Sequence, residues 1–131
     1  MSGPHHIDKE RLVFKPDNLT QVLPVTPTFF QDLDKKFENF RDHILVTRFA
    51  WSEAWPTWEM HPNGDEMVFL LSGDTDFVLW VGGEEQVIRL SEPGSYVVVP
   101  KNTWHTALPH TESSALFVTP GEGTENADTP S

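Results

Sequence analysis

Four side chains in this sequence can converge on one chemistry: Glu59, His61, Glu66 and His105. Residues two apart on an extended strand point to the same face, so Glu59 and His61 project together while Trp58 and Met60 point away. The intervening Pro62-Asn63-Gly64-Asp65 has turn chemistry and reverses the chain, so that Glu66 opens the next strand facing the same interior. Near the start of a later strand, His105 lies opposite in facing to Trp104 and Thr106. Two imidazoles and two carboxylates form a nitrogen and oxygen donor set able to hold one divalent transition metal, iron, manganese, zinc or nickel. The chain has no Cys, so a thiolate site and a disulfide framework are both ruled out.

The elements that must position these groups are short. From Ile44 onward, runs rich in β-branched and aromatic residues alternate with turn signals. Strands are expected over Ile44–Trp51, Thr57–Met60, Met67–Leu71, Thr75–Val81, Gln86–Leu90, Ser95–Val99, Thr103–Leu108 and Ala115–Thr119, with Gly82-Gly83 as a hairpin turn. Eight such strands predict an all-β, double-sheet jelly-roll barrel over residues 44–120. Residues 1–43 read as an N-terminal extension packing on the barrel. It contains a short helix beginning near Thr28, with Phe29, Phe30, Leu33 and Phe37 on one face. Residues 121–131 are almost wholly polar and read as a flexible tail.

Composition bounds the partners. At 131 residues the chain is one domain, and five Trp and nine Phe provide a core. A formal charge of -11 repels phosphate backbones and anionic headgroups, so neither nucleic acid nor a membrane is an expected partner. Residues 1–15 show no apolar signal region and no long apolar run follows, so the expected location is cytoplasmic.

At this point the sequence resembles the cupins. Their first motif runs Gly, five residues, His-x-His, three or four residues, Glu, six residues, Gly; here Glu59-x-His61, Glu66 and Gly73 match it in spacing. The second runs Gly, five residues, Pro-x-Gly, two residues, His, three residues, Asn, and Gly94, Pro100 and His105 fall at matching positions. Three positions depart: Glu59 stands for the first His, Asn102 for the motif Gly and Pro109 for the final Asn. Asn102 is a mild change, because Asn tolerates the left-handed backbone. Glu59 can be a fourth ligand, a general base beside a three-ligand metal, or part of a metal-free polar pocket.

The resemblance implies a double-stranded β-helix and a homodimer, with residues 7–25 able to supply an exchanged strand. It fixes architecture better than reaction, since the family holds dioxygenases, isomerases, lyases and non-catalytic binding modules. The reading that follows is a small metal-dependent enzyme acting on a small oxygen-containing metabolite. Glu59, His61, Glu66 and His105 would hold the metal, Glu59 or Glu66 would move a proton, and Val68, Phe69, Val97, Val99 and Leu108 would wall the pocket. The alternative is a metabolite-binding sensor with a structural metal or none.

Overall fold

A computed structural model describes residues 2–131. Eleven strands and one helix follow in chain order: β1 (Glu10–Phe14), β2 (Thr20–Pro24), α1 (Phe29–Lys36), β3 (Ile44–Trp51), β4 (Trp58–Met60), β5 (Glu66–Ser72), β6 (Thr75–Val81), β7 (Glu84–Leu90), β8 (Tyr96–Val99), β9 (His105–Pro109), β10 (Ser113–Thr119) and β11 (Glu125–Ala127). They form two antiparallel sheets, ordered β2-β1-β3-β10-β5-β8 and β11-β4-β9-β6-β7. This is the two-sheet jelly roll that the strand pattern predicts, with one short helix near the N-terminus.

Alternation along the strands decides what lies between the sheets. On β5 Glu66, Val68 and Leu70 point inward, and on β8 Val97 and Val99 do. They join Phe77, Leu79, Leu90, Ala107, Ala115 and Phe117 in the main core. The turns carry the backbone that their residues allow. Gly82 and Gly83 both have positive φ and close the β6–β7 hairpin between paired Val81 and Glu84. Asn102, at φ 63°, occupies the left-handed conformation that Asn tolerates better than most residues. Gly73 has φ 93°, and a Cβ there would overlap the Glu112 carbonyl and Ser113, so only glycine fits.

Two expectations are corrected. The polar segment 121–131 is not a free tail: β11 pairs antiparallel with β4, Asn126 opposite Glu59. A three-residue strand of Glu, Asn and Ala has no hydrophobic alternation to announce it, and the open edge of β4 supplies its hydrogen bonds. The N-terminal residues form a hairpin, β1–β2, that joins β3, Val13 opposite Leu45. On α1, Phe29 and Leu33 are buried with Phe37 and Phe40 in a second apolar cluster. Phe30 instead is 55% exposed, because one residue rotates the helix about 100° away from Phe29.

No helix among the described residues is long and apolar enough to cross a membrane.

Candidate metal centre

The strand register brings the chemical groups together. Glu59 on β4 lies directly opposite His105 on β9, which places their side chains on one face. His61 follows two residues after Glu59, and its carbonyl accepts a hydrogen bond from the Asn102 N–H at 3.0 Å. That bond ties the end of β4 to the turn before His105. Glu66 enters from the other sheet at the first position of β5, paired with Val99. Asp65 accepts the Lys101 N–H at 2.8 Å and fastens the two turns to each other.

Hydrogen bonds settle which ring nitrogens face inward. His105 Nδ1 donates to the Thr103 carbonyl at 3.1 Å. Thr124 gives its single hydroxyl proton to the Gly121 carbonyl at 2.9 Å, so it accepts from His61 Nδ1–H, also at 2.9 Å. Both neutral rings therefore aim an Nε2 lone pair at Glu66: His61 at 3.3 Å from Oε2 and His105 at 3.1 Å from Oε1. Thr119 donates to Glu66 Oε2 at 2.6 Å. His61 Nε2, His105 Nε2 and Glu66 Oε1 are left buried without a hydrogen-bond partner. Acceptors facing one another in a dry site require a proton or a cation between them.

Glu59, His61 and His105 form a Glu/His/His group that could hold a metal ion, with one donor atom from each lying within 4.8 Å of the others. Glu66 lies outside that group yet touches both imidazoles. The two carboxylates are thus held differently. Burial pushes the Glu66 carboxyl up, but in the metal-free chain His105 and His61, when protonated at Nε2 and donating to it, outweigh burial and hold the group down at about 2. Glu59 is half-buried, and burial together with the nearby Glu66 charge raises it above the ordinary carboxylate range. For His105, burial works downward, but the Glu66 carboxylate overcomes it and raises the ring.

The group opens into a cavity of about 710 Å³. Its walls differ from the expected set. Val68, Val97 and Val99 are committed to the core, and Leu108 faces outward at 45% exposure. The wall is made instead by β3 and its continuation, with Thr47, Phe49, Trp51 and Trp55, by Phe117, and by Phe30, Leu33 and Asp34 of α1. Gly121, Gly123, Thr124 and Asn126 close another side. Trp55 is the one of the four tryptophans Trp55, Trp58, Trp80 and Trp104 that reaches the cavity, its ring edge-on to His105 at 6.3 Å between centroids.

Thr124 is the site residue with no sequence signal, since it sits in a polar stretch far from either motif. A partner that fixes the tautomer of a metal-binding imidazole contributes about 10- to 100-fold to affinity. Thr124→Val is therefore expected to weaken Mn2+ or Zn2+ binding about tenfold in a chelator competition titration, and Thr124→Ser to restore it.

Two facing antiparallel sheets with imidazole and carboxylate donors between them define a jelly-roll protein of metal-site type. The chain matches the model of the Cupin domain over residues 46–120, more than half of its length, and it belongs to that family. No curated protein sequence matches it. Among solved structures it is similar to a cupin-2 domain protein of Shewanella frigidimarina, with TM-score 0.51 and 19% identity, over 59% of this chain and 70% of that one. An oxalate oxidase gives TM-score 0.53 and 15% identity, over 62% and 44% of the two chains. The Bacillus subtilis oxalate decarboxylase, described for its Mn(II) centres, gives 0.54 and 16%, over 64% and 23%. The chain spans less than half of either oxalate enzyme, and identities this low bear on the fold alone.

Proposed function

We propose that the protein is a metal-dependent enzyme acting on a small oxygen-containing metabolite. The observation that carries this reading is the set of buried, unpartnered acceptors, His61 Nε2, His105 Nε2 and Glu66 Oε1, converging on one point. A divalent cation held here would satisfy them, and the donor chemistry suits manganese, iron, zinc or nickel. His61 and His105 would hold it with Glu59 and Glu66. When bound, such an ion polarises a substrate oxygen.

The protein's own residues divide the remaining work. Thr124 and Thr103 hold the two rings in the tautomer that turns Nε2 inward. Glu66, flanked by both rings and by Thr119, stays ionised and anchors them. Glu59, raised by burial and facing the cavity, holds a proton more readily than Glu66 and is the group able to pass it to or from a substrate oxygen. The aromatic side chains Trp51, Trp55 and Phe117 would limit the access of water to that exchange. The oxalate decarboxylase of similar fold is described for its Mn(II) centres, which makes manganese the first ion to test.

Elemental analysis of protein loaded with Mn2+, Fe2+ or Zn2+ and then desalted tests the reading. About one ion per chain is expected. Wild-type protein that takes up none of the three would overturn it.

A homodimer is part of the same proposal, supported by an apolar outer face on the six-stranded sheet. Two register rows, Val118-Met67-Val98 and Leu116-Phe69-Tyr96, lie side by side there. Tyr96 is 58% exposed, and Met67 and Val98 are exposed with it. An apolar patch that crosses three strands is the signature of an association surface. Sedimentation is expected to give a dimer for wild type and a monomer for Met67→Lys/Val98→Lys. A wild-type monomer at tens of micromolar would refute the assignment.

A further inference from the structure

The cavity beside the metal centre has a charge pattern of its own. Among the described residues no Lys or Arg lines it, whereas Asp34, Glu59 and Glu66 do. The cation recorded against this wall is Arg11, whose guanidinium carbon stands 5.3 Å from the Phe30 ring centroid and 5.2 Å from that of Phe49. Its Nε is buried without a hydrogen-bond partner, and Arg11 is not itself a lining residue. Two carboxylates also offset the charge of any divalent ion held between them. An anion entering this space would lose its hydration with no fixed positive side chain to replace it.

The walls are suited to something else. Trp51 and Trp55 meet edge to face at 5.6 Å, and Trp55 and Phe49 each stand within 6 Å of Phe117, at 5.9 and 5.7 Å. Such rings offer faces and edges against which a flat apolar molecule packs. The volume of about 710 Å³ lies in the range of sites for metabolites with rings and far exceeds the needs of a small dicarboxylate. Polar side-chain groups other than the metal centre are few and uncharged apart from Asp34: Thr47, Thr119, Thr124, Asn126 and the buried, unpartnered Trp51 Nε1–H.

We propose that the cavity takes an uncharged aromatic molecule bearing a hydroxyl or carbonyl oxygen, its ring against Trp51, Trp55 and Phe117 and its oxygen toward Glu59 and His61, and that it discriminates against carboxylate anions. Direction of the oxygen rests on the metal-centre reading, while the choice of an uncharged ring rests on the walls. By this inference the chain does not share its ligand class with the oxalate enzymes of similar fold.

Isothermal titration of metal-free and Mn2+-treated protein with 2-naphthol, 2-naphthoate and oxalate tests it. 2-Naphthol is expected to bind at least about tenfold more tightly than 2-naphthoate, the same ring with a charge, and oxalate more weakly still. Trp55→Ala is expected to weaken 2-naphthol about tenfold. Asp34→Lys, on the exposed side of α1 where folding is not at risk, is expected to narrow the preference by improving 2-naphthoate severalfold. Oxalate or 2-naphthoate binding as tightly as 2-naphthol overturns the proposal, whether or not the metal is retained. 2-Naphthol bound selectively by protein that takes up no metal supports the cavity assignment and overturns the metal-dependent reading alone.

Discussion

His61→Ala and His105→Ala proteins, loaded with Mn2+ or Zn2+ and desalted, are expected to retain almost no metal. Each substitution removes an inward-facing lone pair for which no other nitrogen substitutes, since the described residues gather two imidazoles at this point. Loss of partners that merely orient a ligand costs about 10- to 100-fold, so loss of the ligand itself is expected to exceed about 100-fold in affinity. His105 is fully buried and His61 nearly so, and removing either leaves the Glu66 carboxylate with one imidazole fewer. Taking one partner from a buried ion pair destabilises by about 3–5 kcal/mol. Thermal unfolding followed by circular dichroism therefore accompanies the metal assay, and His61→Gln and His105→Gln serve as variants that fill the space. Folded variants that hold metal as tightly as wild type would refute the assignment.

The second large effect is a pH dependence of the metal-free protein. Glu66 falls from an ordinary 4.5 to about 2 in the folded chain. Its stabilisation is thus fully present above pH 4.5 and is lost as pH falls through about 2. The size is about 3 kcal/mol, a substantial share of a typical domain's 5–15 kcal/mol. His105 has the opposite sign: its folded value is raised, so its contribution is complete below 6.5 and declines as pH rises through the folded value. Metal-free protein is expected to be most stable between about pH 4.5 and 6.5. Urea unfolding across the acid range checks this, with Glu66→Gln as the reference that cannot titrate. The exposed pairs Asp8–Arg48 and Asp74–Arg89 contribute alike to both curves, so the difference between them isolates Glu66. Equal acid slopes for the two proteins would contradict the assignment. Bound metal moves the optimum upward, because protons compete for the same imidazoles.

Local chemistry made much of the barrel legible. The β6 strand runs over Thr75–Val81 as its alternation predicts, and the Gly82-Gly83 turn follows from two residues that accept positive φ. Facing of Glu59 and His61 is likewise local, since a period of two needs no knowledge of the partner strand. Glu66 and His105 were legible through turns, whose Pro, Asn and Gly residues restrict how the chain can reverse. The spacing of apolar residues locates the helix but makes its buried face one residue too wide, because Phe30 is aromatic without being core.

What the sequence determined by itself, then, is the two-sheet barrel and the identity of the groups that could hold a metal, because strand period and turn chemistry act within a few residues. Only the tertiary structure decided which atoms face one another. Glu59, His61 and His105 form the close group while Glu66 bridges the two rings, a distinction set by register between β4 and β9 and by the approach of β5. The cavity wall and the Thr124 contact come from segments separated by up to 96 positions along the chain, Phe30 to Asp34 at one end and Gly121 to Asn126 at the other. Their side chains carry no mark of that meeting. A three-residue polar strand earns its place from the open edge of β4, and no local pattern encodes an edge that another strand leaves free.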